Sequence, residues 1–195
     1  MNPYIATGLA MCGVLFVAIV GTAYLAVFFN KRAKADMQAA LDPLAAVIDG
    51  TVDIDEASVS GRYAGTIAQA RVTGAEGGAG RVFQTELVDA AGGTGWRYRS
   101  IAHRDNPVPT AEFDAEDPHL RIALDDQFDM DKLQTIATPS RHWFWIEYNP
   151  EAGIVRLTSP MQTRRDIPDA AAFRRQLDYL AGLGARNREV QQEQS

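Results

Sequence analysis

A run of 25 residues close to the amino terminus limits what this chain can fold into more than any other feature. Residues 5–29 contain no Asp, Glu, Lys, Arg or His. A helix of that length spans about 37 Å, which exceeds the thickness of a bilayer's hydrocarbon core, about 30 Å. Within lipid, a lone segment satisfies its backbone N–H and C=O groups only as a helix. The run therefore predicts a single-pass membrane protein.

Two other interpretations of this run fit less well. A cleavable signal peptide starts with basic residues and has a short apolar core, whereas residues 1–4 carry no basic side chain and the run is longer. Residues 9–12 differ from the cleavage site of bacterial lipoproteins, which has a small residue where Met11 stands. We therefore expect Cys12 to be an apolar side chain of the helix.

The flanks of the run predict its orientation. Three basic residues follow it directly, while the amino-terminal flank offers only the α-amino group. By the positive-inside rule, the carboxy-terminal domain faces the cytoplasm and Met1 faces outward. We expect a protein of the bacterial cytoplasmic (inner) membrane. The residues expected at the membrane interfaces are Tyr4, Phe28, Phe29, Lys31, Arg32 and Lys34.

Small residues recur along the predicted anchor. At spacings near four they let a second helix approach closely, which drives helix association in lipid. The chain is also rich in Ala and Gly throughout, so the recurrence has a compositional explanation that stays open. The candidate helix-packing residues are Ala10, Gly13, Ala18, Gly21, Thr22 and Ala26.

The remaining sequence predicts one mainly β domain with some α-helix: an antiparallel sandwich or barrel followed by an amphipathic helix. The expected segments are the anchor and its basic flank (1–34), a stalk with a short helix at 43–49 (35–50), the β domain (51–160), and a carboxy-terminal helix with a polar tail (161–195). Asp42 and Pro43 predict the start of the short helix and Gly50 its end. Gly182 and Gly184 are expected to end the last helix, whose apolar stripe includes Phe173, Leu177 and Leu180.

Alternating apolar residues predict the strands. They are expected at 51–60, 62–73, 81–89, 96–104, 119–124, 141–148 and 154–159. The second, third and fourth are joined by glycine-rich loops and predict a β-meander. Residues 106–118 are expected to be a connection, and 132–137 are ambiguous. Strand 141–148 is apolar on both faces, so Trp143 and Trp145 are expected in the core or, alternatively, on a partner-binding surface.

An acidic segment is the clearest candidate for recognition. Residues 112–131 hold eight acidic side chains and one basic side chain, although the whole chain carries a net charge of only −6. Such a patch could dock a basic partner or keep the domain away from anionic lipid. A calcium loop starting at Asp125 would need Gly and Glu where Met130 and Ile136 stand, so a solvated loop is the simpler interpretation. The candidate partner-binding residues are Glu112, Asp114, Glu116, Asp117, Asp125, Asp126, Asp129 and Asp131.

No motif for catalysis, a cofactor or a metal is found. The glycine-rich residues 74–80 lead into a predicted strand, whereas a phosphate-binding loop leads into a helix. His103, His119 and His142 lack the spacing of zinc ligands, and no Gly-x-Ser-x-Gly elbow is present. The negative charge argues against a nucleic-acid partner. We expect no catalytic residue, no cofactor and no metal site.

These observations predict a non-enzymatic accessory subunit of a larger membrane complex. Its partners would be integral membrane subunits and the lipid bilayer, with the anchor packed among helices and the β domain buttressing the complex. Photosynthetic or respiratory assemblies are a common setting for subunits with one helix. The alternative is a membrane-anchored β domain that binds a small ligand or acts as an enzyme.

Overall fold

The computed structural model describes residues 3–75, 80–88, 94–103, 106–128, 130–136 and 144–194. The chain divides into two compact units, Met1–Gln38 and Ala39–Ser195. The first is helical. The second contains an antiparallel sheet of eight strands together with several helices.

The first helix, α1, runs without interruption over Pro3–Val47, so the prediction of a separate helix at 43–49 was wrong. Pro43 lies inside α1, where a proline removes one backbone hydrogen bond and costs about 3 kcal/mol. Leu41, Leu44 and Ile48 follow the helical spacing and are completely buried in the second unit. Burying each contributes about 1.5–3 kcal/mol, and together they outweigh the cost of the proline.

The end of α1 was predicted near the right place but for a different reason. Asp49, not Gly50, has the left-handed backbone conformation, with φ 46°. The N–H of Gly50 donates to the carbonyl of Ala45 at 2.9 Å, which closes the helix end as in a Schellman motif. Gly50 is needed for close packing, because a Cβ there would lie 2.3 Å from the carbonyl oxygen of Ser60.

All neighbouring strands of the sheet are antiparallel, in the order β1-β2-β3-β4-β8-β7-β5-β6. The strands are β1 Thr51–Asp53, β2 Ser58–Tyr63, β3 Thr66–Gly74, β4 Arg81–Val88, β5 Trp96–His103, β6 Asn106–Ala115, β7 Phe144–Asn149 and β8 Ile154–Met161. The predicted meander holds only for β3 and β4, because the β7–β8 hairpin lies between β4 and β5. Alternation within a strand does not reveal which distant strand becomes its neighbour.

Turn positions account for two wrong strand boundaries. The predicted strand 51–60 is broken by a turn at residues 54–57. The predicted strand 62–73 is broken by a two-residue turn at Ala64 and Gly65, with φ of 49° and 84°. Two consecutive positive φ values are typical of a type I′ hairpin turn. Ala64 is an unusual residue there, so the turn carries little sequence signal.

The described residues between Pro118 and Ile136 are helical, so the predicted strand at 119–124 was wrong, and the ambiguous segment 132–137 is helical as far as Ile136. The helices are α2 Pro118–Asp125, a 3₁₀ helix Asp126–Phe128 and α3 Met130–Ile136. Residues 119–124 belong to α2 because Asp117 caps the N–H of His119 at 2.9 Å and the buried Leu120 and Leu124 lie four residues apart. Residues 106–115 form β6 instead of a connection, and its prolines are tolerated because β6 is an edge strand.

The last helix, α4, spans Ala170–Gln194 and follows a 3₁₀ helix at Arg164–Asp166. Gly182 and Gly184 do not end it, and the predicted polar tail is helical almost to its end. A glycine inside a helix costs about 1 kcal/mol, whereas α4 buries Leu183 and Val190 beyond the predicted end. Burial of these side chains extends the helix.

Helices, in place of a second sheet, cover the buried face of the β domain. Thr85 of β4 donates to Gln176 of α4 at 2.9 Å, and Gln176 donates to the carbonyl of Ile136 of α3 at 2.9 Å. Strand β7 is buried on one side only, through Phe144 and alternate residues. Trp145 points the other way and is half-buried, and Trp143 lies outside the described residues.

Candidate functional site

The sheet face opposite α2–α4, here called the open face, carries a row of alternating charges. Because side chains alternate across a strand, Thr85 faces the helices and its neighbour Glu86 faces the open side. Each residue of the row lies directly opposite the next on the adjacent strand. From β4 to β6 the row reads Glu86, Arg156, Glu147, Arg97 and Asp114.

Ion pairs join four of these residues, which we call the charge ladder: Glu86, Arg156, Glu147 and Arg97. Arg156 lies 2.6 Å from Glu86 and 3.2 Å from Glu147, and Arg97 lies 2.6 Å from Glu147. Arg71 adds a second partner to Glu86 at 3.0 Å. The Glu86 side chain is only 5% exposed, so its two guanidinium partners compensate a buried carboxylate. The charge ladder joins strands that are distant in sequence.

A groove of about 740 Å³ lies at the β5–β6 end of the ladder. Its charged lining consists of the carboxylates Glu112, Asp114, Glu116, Glu147 and Glu151 and the guanidinium groups Arg97, Arg99 and Arg156. Glu147 is engaged by the ladder. The other four carboxylates make no ion pair with another residue in the described part of the chain. The groove therefore has an excess of exposed negative charge.

The structure divides the predicted acidic patch. Glu112, Asp114 and Glu116 lie together in the groove. Asp117 instead caps α2, and its carboxylate accepts from a backbone N–H of the first turn. Asp125 and Asp126 are exposed at the carboxy-terminal end of α2. Asp131 belongs to α3, and Asp129 lies outside the described residues. Whether any of them contacts a partner stays a prediction.

An aromatic cluster behind the groove fixes the position of β5 and β6. Tyr98 stacks on Phe128 with ring centroids 4.3 Å apart and nearly parallel planes. Phe113 of β6 lies 4.9 Å from Phe128 and 6.3 Å from Trp96. Burial raises the pKa of the Tyr98 hydroxyl. Phe128 sits within the acidic segment and was not recognised from the sequence, because its neighbours give it no periodic pattern.

Two tyrosines connect α4 to the rest of the domain. Tyr63 of β2 donates to the carboxylate of Asp178 at 2.5 Å. Partial burial, with a smaller effect of Asp178, raises the pKa of Tyr63 to about 12. Tyr179 donates to the carbonyl of Gln127 at 2.7 Å, and burial raises its pKa. Both hydroxyls act as donors that hold α4 in place.

Apolar side chains are exposed on every described side of the amino-terminal part of α1. The large ones between Met11 and Phe29 are 47–70% exposed. Thr22 donates its hydroxyl hydrogen within the helix, to the carbonyl of Ala18 or Ile19, each at 2.9 Å. By length and composition, one helix in the described part of the chain could cross a membrane.

The predicted anchor residues can be placed only in part. A Cβ added at Gly13 or Gly21 would meet no atom within 4 Å. Of the residues predicted for helix packing and for the membrane interfaces, the exposed ones are Gly13, Ala18, Gly21, Thr22, Ala26, Phe28, Phe29, Lys31, Arg32 and Lys34. The side chains of Tyr4 and Ala10 lie outside the description.

The three histidines are not assembled into a site by the described structure. His103 belongs to β5, and His119 is exposed in the first turn of α2. His142 lies outside the described residues. Within the described segments, no three His, Cys, Asp or Glu side chains are grouped so that they could hold a metal ion.

No family model matches this chain, and comparisons with curated proteins and with solved structures find no significant similarity. The function is therefore inferred from the residues and their geometry.

Proposed function

We propose that this protein is a non-enzymatic accessory subunit, anchored in a membrane by α1, whose β domain binds other proteins of a membrane complex. One observation supports this most directly: the large apolar side chains of α1 between Met11 and Phe29 are 47–70% exposed. An exposed apolar surface of this size on a soluble chain would drive aggregation. Lipid or neighbouring apolar helices would cover it.

The hydroxyl of Thr22 supports the same environment. It donates to a carbonyl of its own helix, and an unsatisfied hydroxyl is costly in hydrocarbon. The residues that follow, Lys31 and Arg32, are exposed and suit a headgroup region. We propose the bacterial cytoplasmic membrane, with the amino terminus outside and the β domain in the cytoplasm.

The open face supports recognition more than chemistry. Glu86 and Glu147, its most buried described carboxylates, each contact two guanidinium groups, which suits a structural role. Glu112, Asp114 and Glu116 are exposed. Exposed carboxylates of one sign are available to complementary charges on another protein. Integral membrane subunits, in a photosynthetic or respiratory assembly, are the proposed partners.

The groove also favours a second candidate function. Its volume of about 740 Å³ falls within the range of small-molecule sites, about 300–1,000 Å³. A membrane-anchored domain that binds a small polar ligand, or acts on it, would use this groove. Its predominantly charged lining differs from the mainly apolar lining of most such sites.

The anchor provides the test. If Ala18 and Ala26 pack against a partner helix, Ala18→Leu with Ala26→Leu should leave the chain in the membrane but weaken co-purification with its partners. A loss of about 1–2 kcal/mol of helix packing corresponds to a several-fold to about thirtyfold weaker association. The matched control, Val20→Leu with Val27→Leu, should retain them. The partners are identified by mass spectrometry after purification in mild detergent. If both variants retain them equally, α1 only anchors the chain in the membrane and does not bind a partner helix.

A further inference from the structure

We infer that the groove binds an extended, lysine- or arginine-bearing segment of a partner protein, which pairs with the outer edge of β6. This inference rests on the proposed function and names the chemistry of the partner. It concerns β6, the groove and the carboxylates Glu112, Asp114 and Glu116.

Strand β6 is placed to accept another strand. It is the last strand of the sheet and pairs with β5, and no other described strand lies against its outer edge. An edge strand presents backbone N–H and C=O groups that an extended peptide can use. In β6 these groups are complete after Pro109, because Pro107 and Pro109 have no N–H. The opposite edge, β1, has three residues and is too short for this purpose.

Charge selects the partner. Glu112 and Asp114 lie two residues apart on β6 and share the open face, and Glu116 continues the same spacing just beyond the strand. All three are exposed and make no ion pair with another described residue. Alternate residues of an added strand point to the same face at the same spacing. Basic residues at every second position of the partner would therefore meet these carboxylates.

Of the three cations near this row, two are engaged elsewhere. Arg97 lies directly opposite Asp114 but contacts Glu147 at 2.6 Å. Arg156 is divided between Glu86 and Glu147. The third, Arg99, lies directly opposite Glu112 on β5 but forms no ion pair with a described residue. The charge ladder thus holds two of the three groove guanidinium groups and leaves the edge negative.

The edge is also held in place before binding. Phe113, between Glu112 and Asp114, packs on Phe128 and Trp96 on the helix-covered side. Immobilising a binding strand in advance lowers the entropy cost of association. A second copy of this chain is a poor occupant, since two β6 edges would place like charges opposite each other. The sign of the charge also disfavours nucleic acid and anionic lipid.

The test uses the full chain in detergent and a labelled peptide, Thr-Lys-Val-Lys-Val-Lys-Thr, as the probe. Fluorescence anisotropy should show binding that weakens as salt is raised. Glu112→Gln with Asp114→Asn should weaken it at least about tenfold. The matched control neutralises two exposed acids elsewhere, Glu56→Gln with Glu193→Gln, and should bind like the wild type. Circular dichroism confirms that each variant is folded.

Two further peptides test how the probe binds. Replacing its lysines by glutamates should abolish binding, and methylating the backbone nitrogens that face β6 should do the same. No binding by the wild type, equal binding by the two variants, or equal binding of the methylated peptide would overturn the inference. Co-purification of membrane partners is measured separately. Failure of the groove to bind the peptide can therefore be distinguished from failure of the proposed accessory function.

Discussion

Replacing Gly61 by alanine should destabilise the β domain strongly. Gly61 lies in β2 where the chain leaving α1 crosses it. A Cβ at this position would lie 2.3 Å from the carbonyl oxygen of Ile48 and 2.7 Å from the Cα of Gly50. Both atoms belong to the backbone, so no side-chain rotation can relieve the clash.

The size of the effect follows from what must move. Separating the two segments strains the hydrogen bond from the N–H of Arg62 to the carbonyl of Ile48, at 2.6 Å. Such a bond contributes about 0.5–1.5 kcal/mol, and overpacking costs about 1–3 kcal/mol. We expect a loss of about 2–4 kcal/mol, which lowers the melting temperature of a domain of this size by about 5–15 °C.

Thermal unfolding of the detergent-solubilised protein, followed by near-ultraviolet circular dichroism, measures this loss. Gly74→Ala is the matched control, because a Cβ at Gly74, the exposed end of β3, would meet no atom within 4 Å. It should change stability by less than about 0.5 kcal/mol. Equal melting temperatures for the two variants would refute the close approach of Ile48 and Gly50 to β2.

Four further predictions concern a turn, two side-chain contacts and the orientation of the chain. Ala64→Asn should stabilise the domain by about 0.5–1 kcal/mol in thermal unfolding, because Ala64 has φ 49° and asparagine tolerates this conformation better; a loss of stability would contradict the type I′ turn. Glu86→Ala should cost about 2–3 kcal/mol in denaturant unfolding, less than a fully buried pair because Arg71 and Arg156 are partly exposed, whereas Arg186→Ala, in an exposed pair, should leave unfolding unchanged. The pKa of Tyr63 is raised from 10.0 to about 12 in the folded protein, so its contribution to stability is complete below pH 10 and is lost as pH rises towards 12. Tyr63→Phe should therefore flatten the dependence of stability on pH between these values. An unchanged dependence would exclude the Tyr63–Asp178 contact. A reporter fused after Ser195 should be active only if it is a type that works in the cytoplasm, and activity of an export-dependent reporter would reverse the proposed orientation.

Local patterns predicted the parts of the fold that depend on neighbouring residues. The apolar anchor region follows from the length of a run without charged residues, and the structure contains an apolar helix there. The strand at 81–89 and the stripe of Phe173, Leu177 and Leu180 follow from periodicity, and the structure contains β4 and a buried stripe there. These features need no knowledge of distant parts of the chain.

Tertiary packing decided the rest. Helix α1 continues through Pro43 because Leu41 and neighbouring apolar residues such as Ile48 are buried, and α4 continues past its two glycines because Val190 is buried. In both cases the burial of apolar surface outweighs the low helix propensity of proline or glycine. The charge ladder could not be predicted, since Glu86 and Arg156 meet only because the β7–β8 hairpin lies next to β4. Glu112, Asp114 and Glu116 were chosen from the sequence by their charge, but the groove was not predicted, because Arg97 and Glu147 reach it only through the strand order.

The composition of the particle extracted by mild detergent tests the central proposal most directly. Native mass spectrometry of the wild-type chain, purified from its own membranes, reports the mass and the subunits of that particle. The accessory role predicts this chain together with at least one other integral membrane protein in a fixed ratio. A chain that is released without detergent, or that is extracted alone, would contradict it.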